Sequence, residues 1–369
     1  MKQVEKKVKI GKWEVTAILV NALCLQVFLN LPRTMAELAG PAAWMVTVYV
    51  MVMVLIIFTV IIKLYKPFEG MDILDVAHYA MGVPGRVAAG IIVLFHLVLA
   101  ISIILREFGE DMKVIALEVS PISYVLLFFI VGMLVSAYMG LEAISRLHSF
   151  AVPVVIVGFI IIIVGVSPYY RVLNLFPIMG KGAKAILWDG LSRISIYSSL
   201  IFFFLSIPFV GREDTKNIGY TAILLTGILT TLSCLAYLAV APFPVAIEYF
   251  LPIYQLARLI YLGRFFQRIE SVFMIIWAAS ALMYLSTGLF FMLYVFKKTF
   301  AIKYYRPLII PFTVLVFNFS LLPPNLMWAV EIETKYFRRF AWITTFAVTA
   351  AILAAAHLKK SVEGKGKKA

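Results

Sequence analysis

Asn21, Gln26 and Asn30 sit inside one long apolar run of this chain, Ser192, Ser195, Tyr197, Ser198 and Ser199 inside another, and His96 inside a third. Amide, hydroxyl and imidazole groups in such places either hydrogen-bond a small polar ligand or tie neighbouring helices together. The first of these runs ends at Leu31-Pro32 and the second at Ile207-Pro208, and proline removes an N–H donor and stops a helix. In hydrocarbon, the backbone groups freed at a break are satisfied only by a cavity or a ligand. His96 shares a helical face with Ala100, Ile103 and Glu107, at i+4, i+7 and i+11. An ionisable group held in lipid costs free energy, which makes His96 a site candidate; a neutral histidine bonded between helices is the other reading, and both stand.

Other chemistries find little support. Four scattered histidines and two distant cysteines, Cys24 and Cys234, offer neither metal-ligand spacing nor a disulfide framework. No nucleophile, base and orienter assemble from motifs, so no enzyme, metal or cofactor is expected. Arg106 and Glu110, like Glu142 and Arg146, are four residues apart and can pair, as interfacial ion pairs or as a gate. Arg268 and Glu270 are read the same way.

The elements that must position these groups follow from composition. Of 369 residues, 63% are hydrophobic and 14% charged, with a mean hydropathy of +0.99, which excludes a soluble enzyme. Apolar runs bounded by charge, Pro or Gly predict ten transmembrane helices, at roughly 14–32, 42–62, 85–106, 121–139, 146–166, 190–210, 217–241, 269–296, 306–322 and 336–357. Residues 1–12 read as a basic cytoplasmic N-terminus, 13–358 as one permease-like domain and 359–369 as a basic cytoplasmic tail. The net charge of +14 is read as orientation rather than nucleic-acid binding: segments 2–12, 63–66, 86, 146, 212–216, 297–306 and 359–368 hold 20 of the 33 basic residues, which places both termini inside. Two loops, after the fifth helix and before the eighth, carry Trp188, Tyr254, Tyr261, Phe265 and Phe266 among basic residues and suit short helices at the lipid interface. The broken, polar first and sixth helices lie five helices apart, the sign of a 5+5 inverted repeat with a midplane site.

LPRTMAELAGPAAW (Leu31 to Trp44) resembles the end of the first helix in the amino acid/polyamine/organocation permease superfamily. REFGEDMKVIALEVSP ending at Pro121, GLEAISR (Gly140 to Arg146), the FPIMGKG loop from Phe176 and RIESVFMIIW (Arg268 to Trp277) together resemble the B-subunit permease of spore germinant receptors, over essentially the whole chain. The resemblance implies an all-α, leucine-transporter-like bundle in the spore inner membrane that senses a small germinant, often an amino acid. It also implies partners, an A subunit and a C-subunit lipoprotein. His96 and Ala100 fall where family members line the pocket, Tyr284 and Gly288 match its wall in the eighth helix, and Ser199 matches it in the sixth. Two departures stand out. The family's glycine-rich break aligns with Leu25, Gln26 and Val27, whose backbone is expected to hold a ligand carboxylate. An acidic position of the sixth helix aligns with Phe202, which leaves a ligand amine to carbonyls, Ser198, Ser199 or His96. The alternatives are a proton- or cation-coupled amino acid transporter and a ligand-gated water or ion path.

Overall fold

A computed structural model describes residues 9–211, 214–261 and 269–366. Lys2, Lys6, Lys7, Arg212, Phe265, Phe266, Arg268, Lys367 and Lys368 of the expectations above lie outside the described residues. The chain folds into α1 (Lys12–Phe28), α2 (Leu31–Ala39), α3 (Ala43–Tyr65), α4 (Ile73–Ile115), α5 (Ile122–Met139) and α6 (Leu141–Gly165). There follow α7 (Ala183–Leu187), a 3₁₀ stretch (Asp189–Leu200), α8 (Ile201–Ser206), α9 (Thr215–Val240), α10 (Phe243–Ala246), α11 (Pro252–Leu259), α12 (Ile269–Thr299) and α13 (Ile309–Ser320). A last helical path comprises α14 (Leu326–Glu331), a π turn (Ile332–Phe337), α15 (Arg338–Trp342), a second π turn (Ile343–Val348) and α16 (Thr349–Gly366).

Among the described residues, eight helical stretches are long and apolar enough to cross a membrane. The 17-residue α1 and the 12-residue α13 occupy the positions of the first and ninth expected helices. A helix that is apolar all round belongs in the interior, and every residue of α1 from Val15 to Phe28 is buried. α1 packs against α6, α9 and α12, while α4 packs against α12, α13 and α16. α5 and α6 instead turn Phe128, Val131, Phe150 and Val157 outward, the exposed apolar surface that lipid covers.

The boundaries differ from the sequence expectation in instructive places. The first expected helix does not end at Pro32: after a two-residue break at Leu29-Asn30 the chain re-enters a helix with Pro32 at its second position, where a missing N–H costs nothing. The expected 85–106 helix is the outer part of α4, whose inner part begins at Ile73 and bends at Gly82 (φ +70°) just before Pro84. The last helix starts at Leu326, well before position 336. α11 is a short helix where one was expected before the eighth span, with Ile253, Leu256 and Ala257 turned inward.

Segments assigned to the inner side gather at one end. Ile10 N–H donates to Phe209 C=O at 2.8 Å, Lys12 lies 3.8 Å from Asp214, and residues 59–69 and 207–220 share one cleft. His357 Nε2 lies 2.8 Å from Leu64 C=O, and Tyr79 donates to Glu363 at 2.9 Å. Asp72 closes this end. Its Oδ1 caps α4 by accepting from Leu74 and Asp75 N–H, while Oδ2 accepts from Lys298 Nζ at 2.5 Å and from the Tyr294 phenol. Lys298 also reaches Asp75 at 2.6 Å. Burial pushes the Asp72 carboxyl above its usual range and the Asp75 charge adds to that, whereas Lys298 and Tyr294 pull it back.

Candidate functional site

Four elements pack together: α1 with the break that ends it, the outer half of α4, the 3₁₀ stretch running into α8, and α12. A 3₁₀ run of twelve residues is unusual, because its eclipsed i, i+3 side chains and poorer hydrogen bonds disfavour length. The same spacing aligns Ser192, Ser195 and Ser198 on one face. Ser195 Oγ accepts from Trp342 N–H at 3.2 Å, and Thr345 Oγ1 donates to Ser198 C=O at 2.7 Å, so this face is held against α15 and the second π turn.

Ser199, Tyr284, Gly288 and Phe202 are brought together. The Ser199 hydroxyl lies beside the Tyr284 phenol. The Phe202 ring packs 6.0 Å from Tyr284 and 5.4 Å from Phe291. Gly288 gives α12 its close approach to α4: an added Cβ would lie 2.7 Å from Ile101 Cγ1 and 3.9 Å from Phe202. An apolar aromatic, Phe202, thus lies against Tyr284, and this wall is packed side chain to side chain.

His96 and Ala100 are buried on α4 one turn apart. The His96 ring lies 5.1 Å from Phe337 in the first π turn. The α4 face they share therefore meets the last helical path, an element the sequence reading left out of the site. Leu25, Gln26 and Val27 lie within the unbroken ladder of α1, and the break comes at Leu29-Asn30. The expected free N–H groups are displaced by one turn, because α1 runs on to Phe28 before unwinding. Gln26 keeps its Oε1 buried and without a hydrogen-bond partner. Asn21 has a structural role, donating to Ser280 C=O at 3.0 Å and accepting from Ser280 Oγ at 2.6 Å.

Two further groups escaped the sequence reading. His96 is not the only deep histidine: His148 of α6 is fully buried, with Nδ1 2.8 Å from Ile144 C=O and Nε2 3.5 Å from Thr287 Oγ1. It was overlooked because position 148 was placed at a helix start. At the outer end, Asn30 in the break donates to Glu107 Oε1 at 2.6 Å, and Glu333 in the first π turn pairs with Arg338. The signal for these was visible as charged residues, Glu333 and Arg338, within an otherwise apolar window. Arg106 pairs with Glu110 at 2.7 Å and Arg146 with Glu142 at 2.6 Å, as their spacing predicts.

Comparison with solved structures shows what kind of scaffold this is. Mhp1, a nucleobase-cation-symport-1 family transporter, matches in a closed conformation with bromovinylhydantoin bound, at a TM-score of 0.65 over 92% of this chain and 75% of that one, with 11% identity. The inward-facing conformation of Mhp1 matches at 0.64 over 95% and 77%, also with 11% identity. The fold is accordingly that of a leucine-transporter-type permease, with the 5+5 arrangement anticipated from the two broken helices. Spore germination protein A2 of Bacillus subtilis (strain 168) is 24% identical over 333 residues, 88% of this chain and 90% of that one. A family model described as "Spore germination protein" matches residues 9–327. This multi-pass membrane protein, permease-like in fold and in its broken helices, belongs to the spore germination permease family.

Proposed function

We propose that the chain is the germinant-binding subunit of a spore germinant receptor, holding a small neutral or zwitterionic molecule, an amino acid in the first instance, between the α1–α2 break, α4, the 3₁₀–α8 segment and α12. The observation that supports this best is the meeting of Ser199, Tyr284, Phe202 and Gly288 beside twelve residues of 3₁₀ backbone within a transporter fold. Unwound backbone and hydroxyls at a midplane are how such folds hold polar ligands. The ligand carboxylate meets the N–H groups at the start of α2, and its amine meets carbonyls and the Ser198 and Ser199 hydroxyls. Because Phe202 supplies no charge, a dication binds poorly. Its signal passes to an A subunit and a C-subunit lipoprotein in the spore inner membrane, with both termini cytoplasmic, a reading that membership of the spore germination family supports.

The test is the germinant dose response of spores carrying Ser199→Leu or His96→Leu, with protein abundance measured alongside. A rightward shift at normal abundance is expected; an unchanged dose response for both variants would falsify the pocket. Recovery of the two partner subunits in a mild-detergent pull-down is expected for the receptor. For orientation, cysteines at Lys66 and Lys360 should be shielded from an impermeant thiol reagent added outside, and one at Lys181 should react; native Cys24 and Cys234 are buried and silent. The likeness to a symport-family transporter favours one second reading, a coupled amino acid transporter. Saturable uptake of labelled amino acid by vesicles containing this chain alone would establish it.

A further inference from the structure

Glu107 of α4 is 1% exposed, and the one donor it meets is a neutral amide, Asn30 Nδ2 at 2.6 Å. Its Oε2 has no hydrogen-bond partner, and neither has Oε2 of Glu333, also 1% exposed. Arg106 pairs with Glu110 at 2.7 Å and donates to Ser320 C=O, Arg338 pairs with the other oxygen of Glu333, and Arg193 acts on Glu333 from the 3₁₀ stretch, which leaves Glu107 as the carboxylate without an ion pair of its own. The like charges of Glu333 and Asp111 act on Glu107, opposed by Arg338. A buried carboxylate left in that state is costly unless a proton or a cation joins it. Backbone at the same place favours a positive guest. α1 ends at Phe28, two residues before Asn30, with its last carbonyls free of an intrahelical partner, the negative end of its dipole there, and no basic residue in its last turn. The opposing wall is a π turn, a wider helical turn that recurs at functional sites. A narrow cleft nearby is lined by Thr34 and Met35 of α2, Ser192, Arg193 and Ser195 of the 3₁₀ stretch, and Arg338.

We propose that Glu107 and Glu333 form a seat for a small monovalent cation, an inorganic ion or a primary ammonium group, at the junction of the α1–α2 break, the outer half of α4 and the first π turn. The seat shares the α1–α2 break with the proposed germinant pocket but uses Glu107 and Glu333 rather than Ser199 and Tyr284, and its test needs no germinant. Binding removes the uncompensated charge and ties the break in the first helix to the last one, so occupancy stabilises the fold by mass action.

Thermal unfolding of the purified full-length chain in nanodiscs tests this, at constant ionic strength in N-methyl-D-glucamine, sodium, potassium or methylammonium chloride. The bulky glucamine ion is expected to give the lowest Tm, and at least one small cation a saturable rise. A rise with sodium or potassium identifies an inorganic ion; a rise with methylammonium alone identifies an organic ammonium. Glu107→Gln keeps the shape and the Asn30 bond while removing the charge, and should abolish the rise or raise the half-saturating concentration about tenfold or more. Glu333→Gln should weaken it, and Glu142→Gln, in the exposed pair with Arg146, should leave it unchanged. The same Tm in all four salts overturns the seat, as does a full response retained in both Glu107→Gln and Glu333→Gln. Should Glu107→Gln fail to accumulate, the wild-type salt series and Glu333→Gln decide.

Discussion

The two ends of α4 carry polar clusters of opposite character. At the inner end, both oxygens of Asp72 are occupied, by two backbone N–H groups, Lys298 and Tyr294, and Lys298 is shared with Asp75. At the outer end, Glu107 and Glu333 each leave one buried oxygen without a donor. A satisfied cluster holds elements in one arrangement, and an unsatisfied one has room for a guest. The inner cluster is therefore a clasp between α4 and α12, and the outer one, next to the broken first helix and the π turn, is where a change of partner moves structure. Inner-end contacts of α16 with Leu64 and Tyr79 extend the clasp to the last helix. Ligand signals thus have an asymmetric bundle to work on, pinned at one end and adjustable at the other.

Breaking the clasp has the largest expected effect. Lys298→Met removes the cation and leaves Asp72, which has no exposed surface, as a buried anion, at a cost of about 3 kcal/mol. Unfolding in detergent should show a lower Tm for this variant and a much smaller loss for Arg146→Met, whose pairing with Glu142 is at the exposed surface. Equal losses in the two would remove the distinction between the ends. Next come Ser199→Leu and His96→Leu: each removes one polar contact of the proposed pocket, worth about 1 to 3 kcal/mol or roughly 5- to 150-fold in the germinant concentration needed. Abundance should stay normal in His96→Leu, whose leucine enters an apolar surround at similar volume; Ser199→Leu adds bulk to a packed wall, so its dose response is read against its measured abundance. Glu107→Gln is smaller and of opposite sign. In glucamine buffer it should raise stability by about 1 kcal/mol, since it removes an unpaired buried charge and keeps the Asn30 hydrogen bond.

How far the sequence carried this reading depends on the kind of signal. Apolar runs located the helices, because about 20 apolar residues are needed to cross a bilayer whatever the fold. Polar residues and proline in the first and sixth helices located the irregular backbone, and the structure places a break and a 3₁₀ stretch there. The break itself was misplaced by one turn: the alignment put it at Leu25 to Val27, but Pro32 acts as the start of α2, so unwinding falls just before it at Leu29-Asn30. The two π turns were not legible. A π turn differs from an α turn in hydrogen-bond ring size, which hydropathy does not encode, and ILE332 to Phe337 keeps the composition of an ordinary helix carrying charge. Glu107 was noticed as a member of the His96 face, yet its partners come from positions 77 and 226 residues away, a pairing only the fold reveals.

The smallest expected effect separates the two ends of the serine face. Ser192, Ser195 and Ser198 recur every third residue, so in a 3₁₀ stretch they stack along one edge, and helical periodicity of 3.6 would have scattered them. Their environments differ along that edge. Ser192 is exposed and donates to Asp189 C=O at 2.6 Å, three residues back, a bond that water replaces at little loss. Ser195 is buried and accepts the Trp342 N–H at 3.2 Å. Ser195→Ala orphans that donor inside the bundle at about 1 kcal/mol, whereas Ser192→Ala should stay within about 0.5 kcal/mol of the parent in Tm and leave the dose response unchanged. A Ser192→Ala variant as impaired as Ser195→Ala would mean that the exposed start of the 3₁₀ stretch takes part in the response, and that the adjustable region reaches the outer surface rather than ending at the buried serines.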